Sequence, residues 1–173
     1  MTALKTLCIQ LYTPARSAEI ADLFHQSVHA IDPALYTPEQ QEAWAPTPPD
    51  HARWSERLAF KRPFLAIVEE RLTGFIELDA DGHIDCLYTH PAFQGMGVAS
   101  ALYAHLEAEA RSRQLSRLYV EASRVARPFF ERRGFNLIRA NEVQRGGTKL
   151  TNFRMEKTLV PAEPDTESPD SHA

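Results

Sequence analysis

The stretch His90-Pro-Ala-Phe-Gln-Gly-Met-Gly-Val-Ala-Ser-Ala-Leu102, HPAFQGMGVASAL, decides the fold. Two glycines two residues apart stand between a proline and an apolar run. The β-rich run HIDCLYT (83–89) precedes them. After them, Val98, Leu102, Leu106 and Ala110 recur every four residues and define one helix face. The segment is therefore a strand-to-helix connection. A helix start offers unpaired N–H groups and the positive end of its dipole. Gly95 and Gly97 let the backbone bend sharply and approach an anion with no Cβ in the way. The amides of 95–99 form a candidate nest for phosphate oxygens. A nucleotide P-loop needs Gly-Lys-Ser/Thr, and no such lysine is present. A dinucleotide fingerprint needs a third glycine where Ser100 stands. A ligand-free tight connection is the remaining reading of a bare G-x-G.

Outward from this segment, the chain reads as alternating elements. Residues 4–12 alternate as a strand, and apolar residues at three- and four-residue spacing from Ala18 to Ile31 make an amphipathic helix. Thr37, Pro38 and Gln40 mark a second helix with a capping box, ending before Pro46. HARWSERLAF (51–60) is a third helix. FLAIVEE (64–70) and LTGFIELD (72–79) form a hairpin, and 83–89 continues it as a third consecutive strand. RLYVEA (117–122) is a strand, Val125 to Arg133 a short helix, and FNLIRA with TNFRMEKTL two closing antiparallel strands. The class is α+β, a layered sheet with helices packed on it.

The bulk numbers narrow the function. A chain of 173 residues suits one domain, here 1–160, and the Pro-, Ser- and acid-rich segment 161–173 reads as a disordered tail. A net charge of −4 gives no basic footprint for nucleic acid. No apolar run approaches the ~20 residues of a membrane span. Two cysteines make no disulfide framework, and the N-terminus lacks signal-peptide features. The expectation is a cytoplasmic protein with reduced thiols. His25 and His29 are four apart, as helix-borne metal ligands are, but the sequence shows no third ligand and no metal is expected.

The segment Thr89 to Leu102 resembles the acetyl-CoA loop of the GNAT acetyltransferase superfamily. Gln94, Gly97 and Ala99 fill its key positions, and Pro91 stands where the pattern has proline. RPFFERRGF (127–135) resembles the family's second signature, and the element order matches from about residue 4 to 159. The resemblance implies a mixed, mostly antiparallel central sheet flanked by helices and splayed between its fourth and fifth strands. It implies acetyl-CoA as donor and direct transfer to an amine of a small molecule or peptide. By position, Leu87, Tyr88 and Thr89 line the pantetheine arm. Gln94, Gly95, Met96, Gly97, Val98, Ala99 and Ser100 hold the pyrophosphate, and Phe130 shapes the coenzyme channel. The oligomeric state is not fixed, a homodimer included.

The chemistry needs a base. An alkyl amine has a pKa near ~10.4, so roughly one molecule in a thousand is neutral at pH 7. The family's Glu falls at His83, an imidazole able to take the proton; Asp85 shares its face in a regular strand, and Glu77 on the preceding strand is a third candidate. The family's usual tyrosine acid falls at Phe130, which has no proton to give. Ser123, Tyr119, Tyr88 or a water is then the substitute acid. Thiolate departure is tolerable unassisted, since a thiol pKa lies near ~8.5. For the acceptor, the resemblance points to the first two helices, which carry His29, Tyr36 and Trp44, with Glu77 on the neighbouring strand. A non-catalytic acyl-CoA-binding module is the alternative, motivated by Phe130, with O-acyl or longer-chain transfer a further option.

Overall fold

The computed structural model describes residues 6–160. The tail expected at 161–173 lies outside them. Seven strands form one sheet in the order β1-β2-β3-β4-β5-β7-β6. They are β1 (Leu7–Leu11), β2 (Phe64–Val68), β3 (Arg71–Leu78), β4 (His83–Thr89), β5 (Arg117–Ala122), β6 (Asn136–Arg145) and β7 (Thr148–Thr158). The helices are α1 (Ser17–His29), α2 (Pro38–Trp44), α3 (His51–Lys61), α4 (Val98–Ser112) and α5 (Arg127–Glu131). Every neighbouring pair is antiparallel except β4–β5.

The local chemistry accounts for the elements. At α2, the Thr37 side chain accepts from the Gln40 amide while Gln40 accepts from the Thr37 amide, and Pro38 fills the first position. Asp50 caps α3 by accepting from the Arg53 amide. The β2–β3 hairpin turns at Glu69 and Glu70, both at positive φ, so Arg71, which the sequence leaves between the two runs, already belongs to β3.

Two apolar layers cover the sheet. On one face, Val98, Leu102, Leu106 and Ala110 of α4 pack on Phe64, Ala66, Ile76, Ile84, Leu118, Val120 and Met155. Leu102 and Leu106 are fully buried; truncating either to Ala would cost about 2–5 kcal/mol. On the other face, Ile20 and Leu23 of α1 and Leu58 of α3 cover Leu65, Ile67, Leu72, Phe75 and Cys86.

β4 is not regular. Ile76 pairs with Leu87 while Leu78 pairs with Ile84, so three steps on β4 oppose two on β3. This is a β-bulge at Asp85–Cys86. It leaves Ile84 and Leu87 on the α4 face and Cys86 on the other. Asp85 still shares the α3 face with His83.

Candidate active site

The site begins where the parallel pair stops. β4 and β5 meet only at His83–Tyr119 and Ile84–Val120. Beyond Ile84 the strands diverge. The His90 amide donates to the Thr73 carbonyl at 2.8 Å. Antiparallel alternation then makes Tyr88–Phe75 a hydrogen-bonded pair and turns the main chain of Leu87 toward β5. No β5 residue pairs with Leu87. Thr89 faces the same way, but its carbonyl accepts from Ser27 Oγ of α1 at 2.5 Å.

α4 starts at the mouth of this gap. Gly97 is its N-cap at φ 81°, and Gly95 has φ 74°. A Cβ built on either meets nothing within 4 Å. Among the described residues, no amide from 95 to 100 donates to another group of the chain. Open space, unpaired N–H groups and the helix dipole fit a phosphate group. Arg133 adds a cation: its Nη2 donates to Ser100 Oγ at 2.7 Å, and its guanidinium stacks on Phe129 at 3.5 Å. The sequence reading missed Arg133, although it sits one residue before the glycine of the second signature.

Phe130 lies in the α4-side core at 1 % exposure, against Phe129, Phe135 and Tyr103. It is a wall within the core, with little surface for a ligand. Ser123 Oγ accepts from the Ala126 amide at 3.1 Å, a turn-capping contact at the start of the α5 segment.

The opposite face of the gap is charged. Asp85 accepts from Arg57 Nη2 and pairs with Lys61 Nζ, both at 2.8 Å. Burial raises its carboxyl, but the Lys61 bond and the Arg57 and Lys61 charges outweigh this and hold it below the usual range. His83 lies between two carboxylate acceptors, Glu121 at 2.5 Å from Nε2 and Asp79 at 3.2 Å from Nδ1. It thus bridges β4 and β5 at the top of the gap. Arg154 of β7 holds the other oxygen of Glu121 at 3.2 Å. Tyr119 donates to Asp81, and burial contributes less than that bond to the rise of its phenol. Glu77, expected beside the acceptor, is fully buried beneath Arg57, which grips both its oxygens. Burial lifts its carboxyl despite Arg57. It holds Arg57 and has no exposed surface for a ligand.

The first helical segment spans the gap. Ser27 ties α1 to β4. Tyr36, itself buried, donates to the Thr151 carbonyl of β7 at 2.7 Å and accepts from the Arg124 amide after β5 at 3.0 Å. Tyr36, Trp44, Tyr88 and Phe24 make a run of ring contacts between 4.8 and 6.2 Å. Burial pushes the Tyr88 hydroxyl far above the usual tyrosine range. His29 lies on the outer side, against Ala45 O and Glu42.

A split parallel pair, a glycine-built helix mouth and a bulged fourth strand define an acyltransferase of the GNAT class. The chain belongs to that family: the acetyltransferase (GNAT) domain matches residues 33–158. It is 35 % identical over 147 residues to the uncharacterized N-acetyltransferase YafP of Escherichia coli K12, covering 85 % of this chain and 93 % of YafP. The crystal structure of a GCN5-related N-acetyltransferase ("Aminotransferase, Class-II") from Rhodopseudomonas palustris superposes with a TM-score of 0.85. The two are 34 % identical over 92 % of this chain and 99 % of that one. The PaiA N-acetyltransferase of Thermoplasma acidophilum, solved with coenzyme A, shares the fold at TM-score 0.70 and 17 % identity, over 89 % and 99 % of the two chains.

Proposed function

We propose that this protein transfers an acetyl group from acetyl-CoA directly to a primary amine of a small molecule or a peptide. The observation that carries the reading is the open β4–β5 gap below unpaired amides at the α4 mouth. The amides of Gly95 to Ser100 grip the diphosphate, with Gln94, Met96, Val98 and Ala99 shaping the turn and Arg133 supplying charge. The main chain of Leu87 pairs with the pantetheine amides, flanked by Tyr88 and Thr89. Acetyl-CoA supplies the thioester and a thiolate leaving group.

His83 is the base. Asp79 fixes its ring at Nδ1, and Nε2 meets Glu121 across the β4–β5 seam. With Nδ1–H donated to Asp79, Nε2 parts from Glu121 and its lone pair takes the amine proton, giving an imidazolium that Glu121 and Asp79 stabilise. Asp85, held by Arg57 and Lys61, fixes the charged wall on the His83 side of the gap. Tyr36 and Trp44 wall the acceptor, and His29 supports that wall from outside. Ser123 is the hydroxyl nearest the end of β5 and gives the thiolate its proton, directly or through water. We place the reaction in the cytoplasm, where the free thiols Cys8 and Cys86 suit a reducing compartment.

Thiol release from acetyl-CoA across a panel of amines tests this. Turnover with at least one amine supports it. Tight CoA binding without thiol release from any amine favours the binding module, the reading that Phe130 in place of a tyrosine motivates.

A further inference from the structure

The helical segment that spans the gap carries a second cluster. His25 and His29 lie one turn apart on α1, with ring centroids 4.1 Å apart. Their ring nitrogens converge on Glu42 of α2, and one ligand atom from each of the three lies within 4.8 Å of the others. We propose that His25, His29 and Glu42 bind one divalent transition-metal ion of the zinc class, stapling α1 to α2 over the acceptor side of the gap.

The geometry is close to what such an ion needs. Zinc–nitrogen and zinc–oxygen bonds of about 2.0–2.1 Å put tetrahedral ligands roughly 3.3 Å apart. His29 Nε2 and Glu42 Oε2 are already 3.6 Å apart. The other Glu42 oxygen is fixed by the Thr47 amide at 2.6 Å, the outer contact that aims a ligating carboxylate. Those Thr47 bonds, followed by the two histidines, hold the Glu42 carboxyl below the usual range. Burial and the neighbouring His29 favour the neutral form of His25, which is the form that ligates.

Now the ring nitrogens are satisfied within the chain. His25 Nε2 contacts Thr47 Oγ1 at 2.8 Å, and Thr47 Oγ1 donates to Glu42 Oε2 at 2.8 Å. His29 Nε2 contacts the Ala45 carbonyl at 2.8 Å. As the ion enters, each neutral ring carries its single proton on Nδ1 instead of Nε2, so the Nε2 lone pair is free to ligate, and the Thr47 hydroxyl turns aside. Two imidazoles and one carboxylate then hold it, with a fourth position left for water. Two nitrogens and one carboxylate select zinc, cobalt or nickel over magnesium or calcium.

The other cluster of this kind, Asp79, His83 and Asp85, does not compete. The Lys61 ammonium sits 2.9 Å from Asp79 and 2.8 Å from Asp85 and fills the cation position.

The test uses the full chain, stripped with chelator, then dialysed with zinc sulfate or titrated with cobalt chloride. One zinc per chain is retained, and cobalt gives the visible absorption of a low-symmetry nitrogen–oxygen site. Zinc at a hundredfold above Kd raises Tm by about 5–10 °C. H25A, H29A and E42Q each weaken zinc binding more than tenfold. Glu42 is exposed, so E42Q answers the question even where a histidine variant folds poorly. Failure to retain zinc overturns the proposal. So does zinc binding that survives H29A and E42Q but disappears in H83A or C8S.

Discussion

The two halves of the β4–β5 seam are built from the same pair of strands and do opposite things. The upper half is closed. The Tyr119 amide donates to the Gly82 carbonyl at 3.0 Å, and a Cβ on Gly82 would sit 2.2 Å from the Arg117 carbonyl oxygen. His83 and Glu121 bridge the strands next to it, at the top of the gap. The lower half is open. Leu87 turns its main chain into the gap, and the glycines at its mouth face empty space. A bulge at Asp85–Cys86 lies where one regime gives way to the other. Contact in the upper half makes the fold, and withheld contact in the lower half makes a binding site. Substitutions in the two halves should therefore fail in different ways.

The largest effect belongs to the closed half. Gly82→Ala forces the backbone at φ 94° against Arg117 and should lower Tm by more than ~10 °C or abolish soluble folding, read by thermal circular dichroism. Next comes the open half. Gly97→Trp should weaken CoA binding more than ~100-fold by calorimetry. Its stability cost is only about 1–2 kcal/mol, because space is free and just the left-handed backbone is strained. Equal damage to fold and binding from either variant would erase the distinction.

His83→Ala should reduce kcat by about 10²-fold while CoA affinity stays within ~3-fold, the split expected of a base at the junction of the halves. A kcat within ~3-fold of wild type would remove His83 from the mechanism. Asp85 gives a smaller, pH-dependent effect. Its carboxyl is lower in the fold than in the unfolded chain, so its stabilisation is full above about pH 3.9 and lost as pH falls through the folded value. Asp85→Asn should therefore make the acid-side fall of the urea midpoint shallower. An unchanged slope would show that Lys61 and Arg57 do not stabilise the ionised form. The smallest effect on activity is Phe130→Tyr. The new hydroxyl enters an aromatic core against Phe135 and Tyr103, so kcat should change less than ~3-fold while stability drops by about 1–3 kcal/mol. A tenfold gain in kcat would mean that the position reaches the thiolate after all.

Much of this was legible in the sequence because it is local. The Gly95–Gly97 turn, the four-residue apolar repeat of α4 and the Thr37 capping box are each written within one short segment. Element order followed from the periodicity and turn residues of successive segments, and the split after the fourth strand from the family resemblance. The bulge was not legible, since it is set by the register of β4 against β3 and leaves no local signature. Glu77 looked like a candidate base or acceptor contact because it lies on the strand next to His83 and Asp85. Its partner Arg57 lies 20 residues away on α3, and only the packed structure shows the carboxylate covered. Glu42 escaped as a partner of His25 and His29 because the connection 30–37 and the first turn of α2 separate them in sequence. Arg133 had a signal, a basic residue next to the glycine of the second signature, that position alone did not explain.

The central claim is that the amides at the head of α4 receive the diphosphate of the coenzyme. Amide chemical shifts followed by NMR during a CoA titration test it most directly. The account predicts that the largest saturable changes fall on Gly95 to Ser100, with Leu87 moving alongside them. Saturation of CoA binding with those amides unmoved, and the shifts gathered elsewhere on the sheet, would contradict it.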